Sequence, residues 1–96
     1  MVPYYDDYYY PPKHNKDLVF LREDLIGELQ AINQYEIHAV QAGDPQVRAL
    51  LLEIADDEKH HVADLLKMIN RLDPAQAKLI HERVCGYHKY DGEDNG

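Results

Sequence analysis

The sequence predicts an all-α fold, an antiparallel two-helix hairpin followed by a short third helix, with two copies pairing as a dimer into a four-helix bundle. Three observations carry that expectation. Two long segments each place apolar residues in alternating three- and four-residue steps, the spacing that lines up one face of a helix. Only Gly43, Asp44 and Pro45 separate them, and so short a link forces two long helices to run antiparallel. Residues 28 and 58, one on each segment, are equidistant from Gly43, and both are glutamates where helix packing asks for an apolar side chain.

Residues 1–16 hold five tyrosines, three prolines and two aspartates without helical or strand periodicity, and read as a flexible arm whose aromatics would pack on a neighbouring subunit if they are ordered. The first helix starts with Asn15 or Asp17 as its cap and runs to about Ala42 along a seam of Leu18, Leu21, Leu25, Glu28, Ile32, Tyr35, Ala39 and Ala42. Gly43 is expected to take the left-handed conformation just past its end. Asp44 then caps a second helix whose first turn holds Pro45. Its seam is Val47, Leu51, Ile54, Glu58, His61, Leu65, Met68 and Leu72, with a second ridge of Ala55, Val62 and Ile69 beside it. A stripe that wide asks for more than one partner helix. Asp73 and Pro74 repeat the cap-and-proline punctuation, and a third helix from about residue 75 to residue 84 should end near Gly86. The helical domain is thus 17–85, and 86–96 is an acidic, glycine-containing tail or linker. Cys85 and His88 have C-x-x-H spacing, but two ligands do not close a zinc site.

A chain of 96 residues makes one small domain, whose core is marginal without a metal, a disulfide or self-association. A single cysteine removes the intrachain disulfide and fits a reducing compartment. The net charge of −8, with ten scattered basic residues, argues against nucleic acid and for cations. No apolar run has the length of a membrane span, and the first residues resemble no signal peptide, so the expected location is the cytoplasm.

A lone glutamate in a helix is usually solvated, and a lone histidine on an apolar face is usually a satisfied core residue. Here Glu28, Glu58 and His61 point into one core at one level, His61 following Glu58 by one turn on the same face. Burying two carboxylates without a cation or a proton costs several kcal/mol each. No Lys or Arg shares either seam near them, so the positive charge expected there is a metal, the alternative being protonated or solvent-facing carboxylates. Dinuclear sites in ferritin-like bundles take one Glu from each of two helices and one Glu-x-x-His from each of the other two. One chain supplies one of each, hence half a site. Two copies about a two-fold axis complete it, and their four carboxylates balance two divalent ions. Carboxylate and imidazole together suit iron or manganese, and zinc would bind too. Tyr35, two turns from Glu28, is a candidate to hydrogen-bond a ligand carboxylate or to fill the core. Asp57 and His60 point off the seam and read as solvated, or as weak way stations for a cation.

With those residues in place, the sequence resembles the encapsulated ferritin family, the half-length ferritin-like proteins associated with encapsulin shells. The resemblance covers residues 18–76 and rests on the run from Glu28 to Glu36, on Asp57 to His61, and on Leu72-Asp73-Pro74. It implies a ferroxidase whose di-iron centre, two iron ions per dimer, forms between subunits, with the dimers joined in a ring such as a decamer. Such a ring oxidises Fe(II), and the mineral accumulates inside the surrounding encapsulin shell. Glu28, Glu58 and His61 would be the ligands and the catalytic groups, with Tyr35 nearby. Members can carry further acidic and aromatic residues around the first Glu to hold entering cations, where this sequence has Gly27, Gln30 and Gln34. Some are fused to the shell protein itself, and the acidic end suits a domain cut from such a fusion. Two other classes compete: a non-catalytic helical assembly module clamped by metal, and a rubrerythrin-like peroxide reductase, which would need a cysteine-rich iron site that one cysteine cannot build.

Overall fold

The computed structural model describes residues 15–86, so the expectations for the aromatic arm, for the tail and for His88 lie outside the described residues. Helix α1 spans Lys16–Gln41, α2 spans Pro45–Leu72 and α3 spans Pro74–Ile80. Side-chain oxygens start each helix where the sequence places them. Asn15 accepts from the Leu18 amide at 3.0 Å, and Asp44 accepts from Gln46 and Val47 at 2.7 and 3.3 Å. Asp73 accepts from Gln76 at 3.2 Å. These bonds satisfy amides that have no partner inside the helix.

Two local expectations are corrected. The link between α1 and α2 does not use a left-handed glycine: Ala42 is already extended at φ −68° and ψ 133°, and Gly43 has no positive φ. The end of α1 is closed instead by Arg48, which reaches back across the link and donates to the Ala42 carbonyl at 2.7 Å. The third helical stretch ends at Gly86 as expected but is not one α-helix throughout. After Ile80 the chain widens into a π-helical turn over His81–Cys85. The glycine that follows is needed for closeness, since a Cβ on Gly86 would stand 2.6 Å from the His81 carbonyl oxygen.

Along α1 every predicted seam residue is buried or half-buried, with Leu18 and Ala39 fully inside. On α2 the second ridge lies deepest. Ala55 and Ile69 are buried and Val62 is half-buried, whereas on the expected main seam Leu51, Ile54, Glu58, Leu65 and Leu72 are half-buried and Val47, His61 and Met68 are exposed. The helix is rotated so that the second ridge sits over α1 and the main seam lies along the edge of the contact. A hairpin has a single layer and cannot cover both. Further apolar residues stay uncovered on α1 as well: Val19, Ile26, Leu29, Ile37 and Val40, the last 82% exposed. At 100° per residue these five form one stripe about 130° round α1 from its seam.

The described core therefore depends on few contacts, and one polar contact ties its far end. Asp73, only 8% exposed, accepts from the Arg22 guanidinium at 2.5 Å while it caps α3. Through it α1 holds the junction of α2 and α3. Asp73→Ala removes cap and ion pair together, and a loss of about 1–2 kcal/mol is expected, the half-exposed Arg22 being discounted for screening. For a domain of this size that lowers the melting temperature by roughly 5–15 °C. Thermal denaturation followed by circular dichroism checks it, and an unchanged midpoint would show that the latch contributes nothing.

Candidate metal centre

The middle of the hairpin brings Glu28 of α1 to Glu58 and His61 of α2. His61 Nδ1 lies 2.8 Å from Glu58 Oε1 and 3.4 Å from Glu28 Oε1. One ligand atom from each of the three residues fits within a 4.8 Å cluster. The shared level inferred from the link is thus observed, and so is the single turn between Glu58 and His61. What differs is burial. The side chains of Glu28 and Glu58 are 27% and 18% exposed and that of His61 is 56% exposed. The triad lies at the edge of the packed face of the hairpin rather than deep inside it, with Glu58 half-buried and His61, one turn on, exposed.

Its electrostatics are those of a site short of positive charge. Glu28 is held above the usual carboxylate range, first by its hydrogen bond to Glu58, then by burial and by the charge of that neighbour. Glu58 is held below it by the hydrogen bonds from Glu28 and His61. The His61 imidazole is pushed up by its hydrogen bonds to Glu58 and Glu28. One carboxyl holds its proton more tightly than usual and the other less, and the imidazole's hold on its proton is strengthened, as expected of crowded anions. A metal ion would take the place of these protons.

The donor set fits such an ion. Two carboxylates and an imidazole, with no thiolate, suit iron, manganese or zinc, and three ligands leave most positions around a first-row ion for a second copy or solvent. Tyr35 is half-buried on the same stripe but makes no hydrogen bond to either carboxylate among the described residues. Asp57 and His60 are exposed on the outer face, where with Asp56 they form a second, looser group of potential ligands. Sequence reading overlooked three carboxylates near the triad, those of Glu23, Asp24 and Asp64, which line a groove running to Glu28 and His61. Two stand four and five residues before Glu28 and one stands three after His61, so the spacing was legible once the triad was identified.

Comparison with known proteins gives the same picture. Residues 20–93 match the rubrerythrin family. The chain is 36% identical over 66 residues to the encapsulin nanocompartment cargo protein EncB of Myxococcus xanthus, covering 69% of this chain and 42% of that protein. It is 38% identical over 74 residues to a ferritin-like-encapsulin shell fusion protein of Pyrococcus furiosus, covering 69% of this chain and 21% of that protein. With the cargo protein EncC of Myxococcus xanthus it shares 36% over 67 residues, 70% of this chain and 52% of that one. The chain thus spans from a fifth to about half the length of these relatives. No solved structure matches it.

Proposed function

The chain belongs to the rubrerythrin family of ferritin-like helical proteins, and on that footing we propose that it is a ferroxidase. In this reading it oxidises Fe(II) with O2 at a site shared by two copies and works with an encapsulin shell. The observation that carries the reading is the Glu28, Glu58 and His61 cluster at the edge of the packed face, half of a dinuclear ligand set placed where a second copy can complete it. Glu28 and Glu58 hold the substrate Fe(II) ions, and His61 offers Nδ1, the atom already turned towards both carboxylates. Paired Fe(II) supplies the two electrons that take one O2 to hydrogen peroxide, two protons being consumed. The residues bring the pair together and balance its charge.

Two apolar surfaces support the assembly that goes with this function. The flank bearing His61 and Met68 is the face for the two-fold partner. The stripe from Val19 to Val40 on α1 is a second face, through which pairs would join into a ring. The relatives' names support the location proposed here, with an encapsulin shell: two are encapsulin nanocompartment cargo proteins and one is a fusion to an encapsulin shell. No described helix is long and apolar enough to cross a membrane. Tyr35 is assigned to the surroundings of the completed centre.

Fe(II) is loaded under anaerobic conditions and O2 is then added, with absorbance and oxygen uptake recorded together. The expected result is two Fe(II) oxidised per O2, faster than in buffer. Binding without turnover would leave a structural metal clamp instead.

Metal loading should also depend on pH in one direction. Metal binds neutral imidazole, and the raised affinity of His61 for its proton makes that proton a stronger competitor. Apparent affinity for Co(II) or Zn(II) is expected to rise as pH passes upward through the elevated His61 value, and then to level off. Titration calorimetry in buffers of different ionisation heat reads the released protons. An affinity flat from pH 6 to pH 8 would remove His61 from the ligand set.

A further inference from the structure

Gly27 lies in the interior of α1, where glycine is the least favourable residue after proline. Nothing inside the chain asks for it there. The helix runs Lys16–Gln41, so residue 27 is several turns from either cap. Its φ is outside the left-handed region, and a Cβ at this position would meet nothing within 4 Å, whereas one on Gly86 would stand 2.6 Å from the His81 carbonyl oxygen. Gly27 lines a groove together with Glu28 and His61, so the side chain it lacks is missing on the edge of the hairpin where the ligand set is half complete.

We propose that Gly27 is the point at which a second copy of this chain crosses α1, its absent side chain letting the two backbones come close enough for the triads of both copies to share metal. The proposal rests on the shared-site reading above and names the residue that sets how near the copies come. An ion held by carboxylates of both copies, each oxygen at about 2.0–2.2 Å, keeps those oxygens within about 4.4 Å of each other. The ligand atoms of one chain are already drawn within 4.8 Å, so the remaining distance is the one between the helices that carry them. Packed helices stand about 8–10 Å apart, and the side chains at the crossing decide where in that range. A glycine there removes the Cβ that would separate the backbones, and its place one residue before Glu28 puts the closest approach beside the first ligand. Of the α1 residues that line the groove only Gly27 is uncharged, the others being Glu23, Asp24 and Glu28. Like charges brought face to face repel, so an identical chain can meet this edge of α1 closely at Gly27 and not at its neighbours.

The test uses the full chain and Co(II), at about 0.15 M ionic strength, where a Debye length of about 8 Å screens the groove carboxylates. Gly27→Ala and Gly27→Leu both raise helix propensity, and the Cβ of either finds open space in the single chain. Chelated, dissociated protein of each variant should therefore melt above the wild type. In the cobalt-loaded protein the order reverses. Sedimentation equilibrium should find the dimer weakened about tenfold in Gly27→Ala, the effect of forcing a methyl group into a closed contact, and weakened further in Gly27→Leu. At protein concentrations that restore the dimer, the Co(II) absorption spectrum of Gly27→Ala should return to that of the wild type. Variants that dimerise as tightly as the wild type overturn the proposal. A lowered melting temperature of the chelated alanine variant overturns it too, by placing the need for glycine inside the chain, and so does a spectrum that stays altered in the restored dimer, which would assign the loss to a displaced Glu28. A wild-type chain that binds its full cobalt as a monomer sinks the shared site along with the crossing, whereas a wild-type cobalt dimer with unaffected variants sinks the crossing alone.

Discussion

Glu58→Ala is expected to bring Fe(II) oxidation down to the rate of buffer. The loss should exceed the roughly 10–100-fold that follows from removing a residue that merely supports a ligand, because Glu58 lies next to both other members of the triad, 2.8 Å from His61 Nδ1 and within the same 4.8 Å cluster as Glu28. Without it the remaining imidazole and carboxylate lie at the long separation of 3.4 Å, with no anionic group between them. Glu28→Ala and His61→Ala should each cripple oxidation for a narrower reason, the loss of one ligand. All three positions are helical, and alanine has the best helix propensity, so far-UV circular dichroism should be unchanged. Oxygen uptake after anaerobic loading decides the matter. Glu58→Ala protein oxidising iron at the wild-type rate would leave the triad without a catalytic role.

Chelation should dissociate and destabilise the protein together. On the proposed reading each copy supplies three ligands and occupancy takes two copies, so metal binding would add its free energy to association. At free metal 100 times the dissociation constant that linkage is about 2.7 kcal/mol. For a domain of this size it corresponds to a melting temperature roughly 10–20 °C higher than that of the chelated protein. Sedimentation equilibrium should find the loaded protein as a dimer or a multiple of dimers, and a smaller species after chelation. A monomer carrying a full complement of metal would overturn the shared site. The uncovered Val19, Ile26, Leu29, Ile37 and Val40 give a reason for association beyond the dimer, since so long an apolar stripe is seldom left in water.

The helices and the level of the candidate site were legible from the residues alone, because both depend on interactions between near neighbours. Asn15, Asp44 and Asp73 cap the amides two or three residues ahead, so their chemistry could be read one residue at a time. The link of Gly43 and Asp44 set the count that brings Glu28 opposite Glu58, and the three-residue step set the place of His61. How deep each part of the wide stripe on α2 lies came from its rotation against α1, which period alone does not set: Ala55 and Ile69 are buried, Leu51, Ile54, Glu58 and Leu65 are half-buried, and Val47 and Met68 are exposed. That one rotation exposes His61 and leaves the triad half-covered. It also brings Asp64, forty residues along the chain from Asp24, to the other wall of the same groove. Arg48, not the glycine, closes the end of α1: its side chain reaches six residues back across the link to the Ala42 carbonyl, a contact set by the path of the turn and by no cap motif in the sequence.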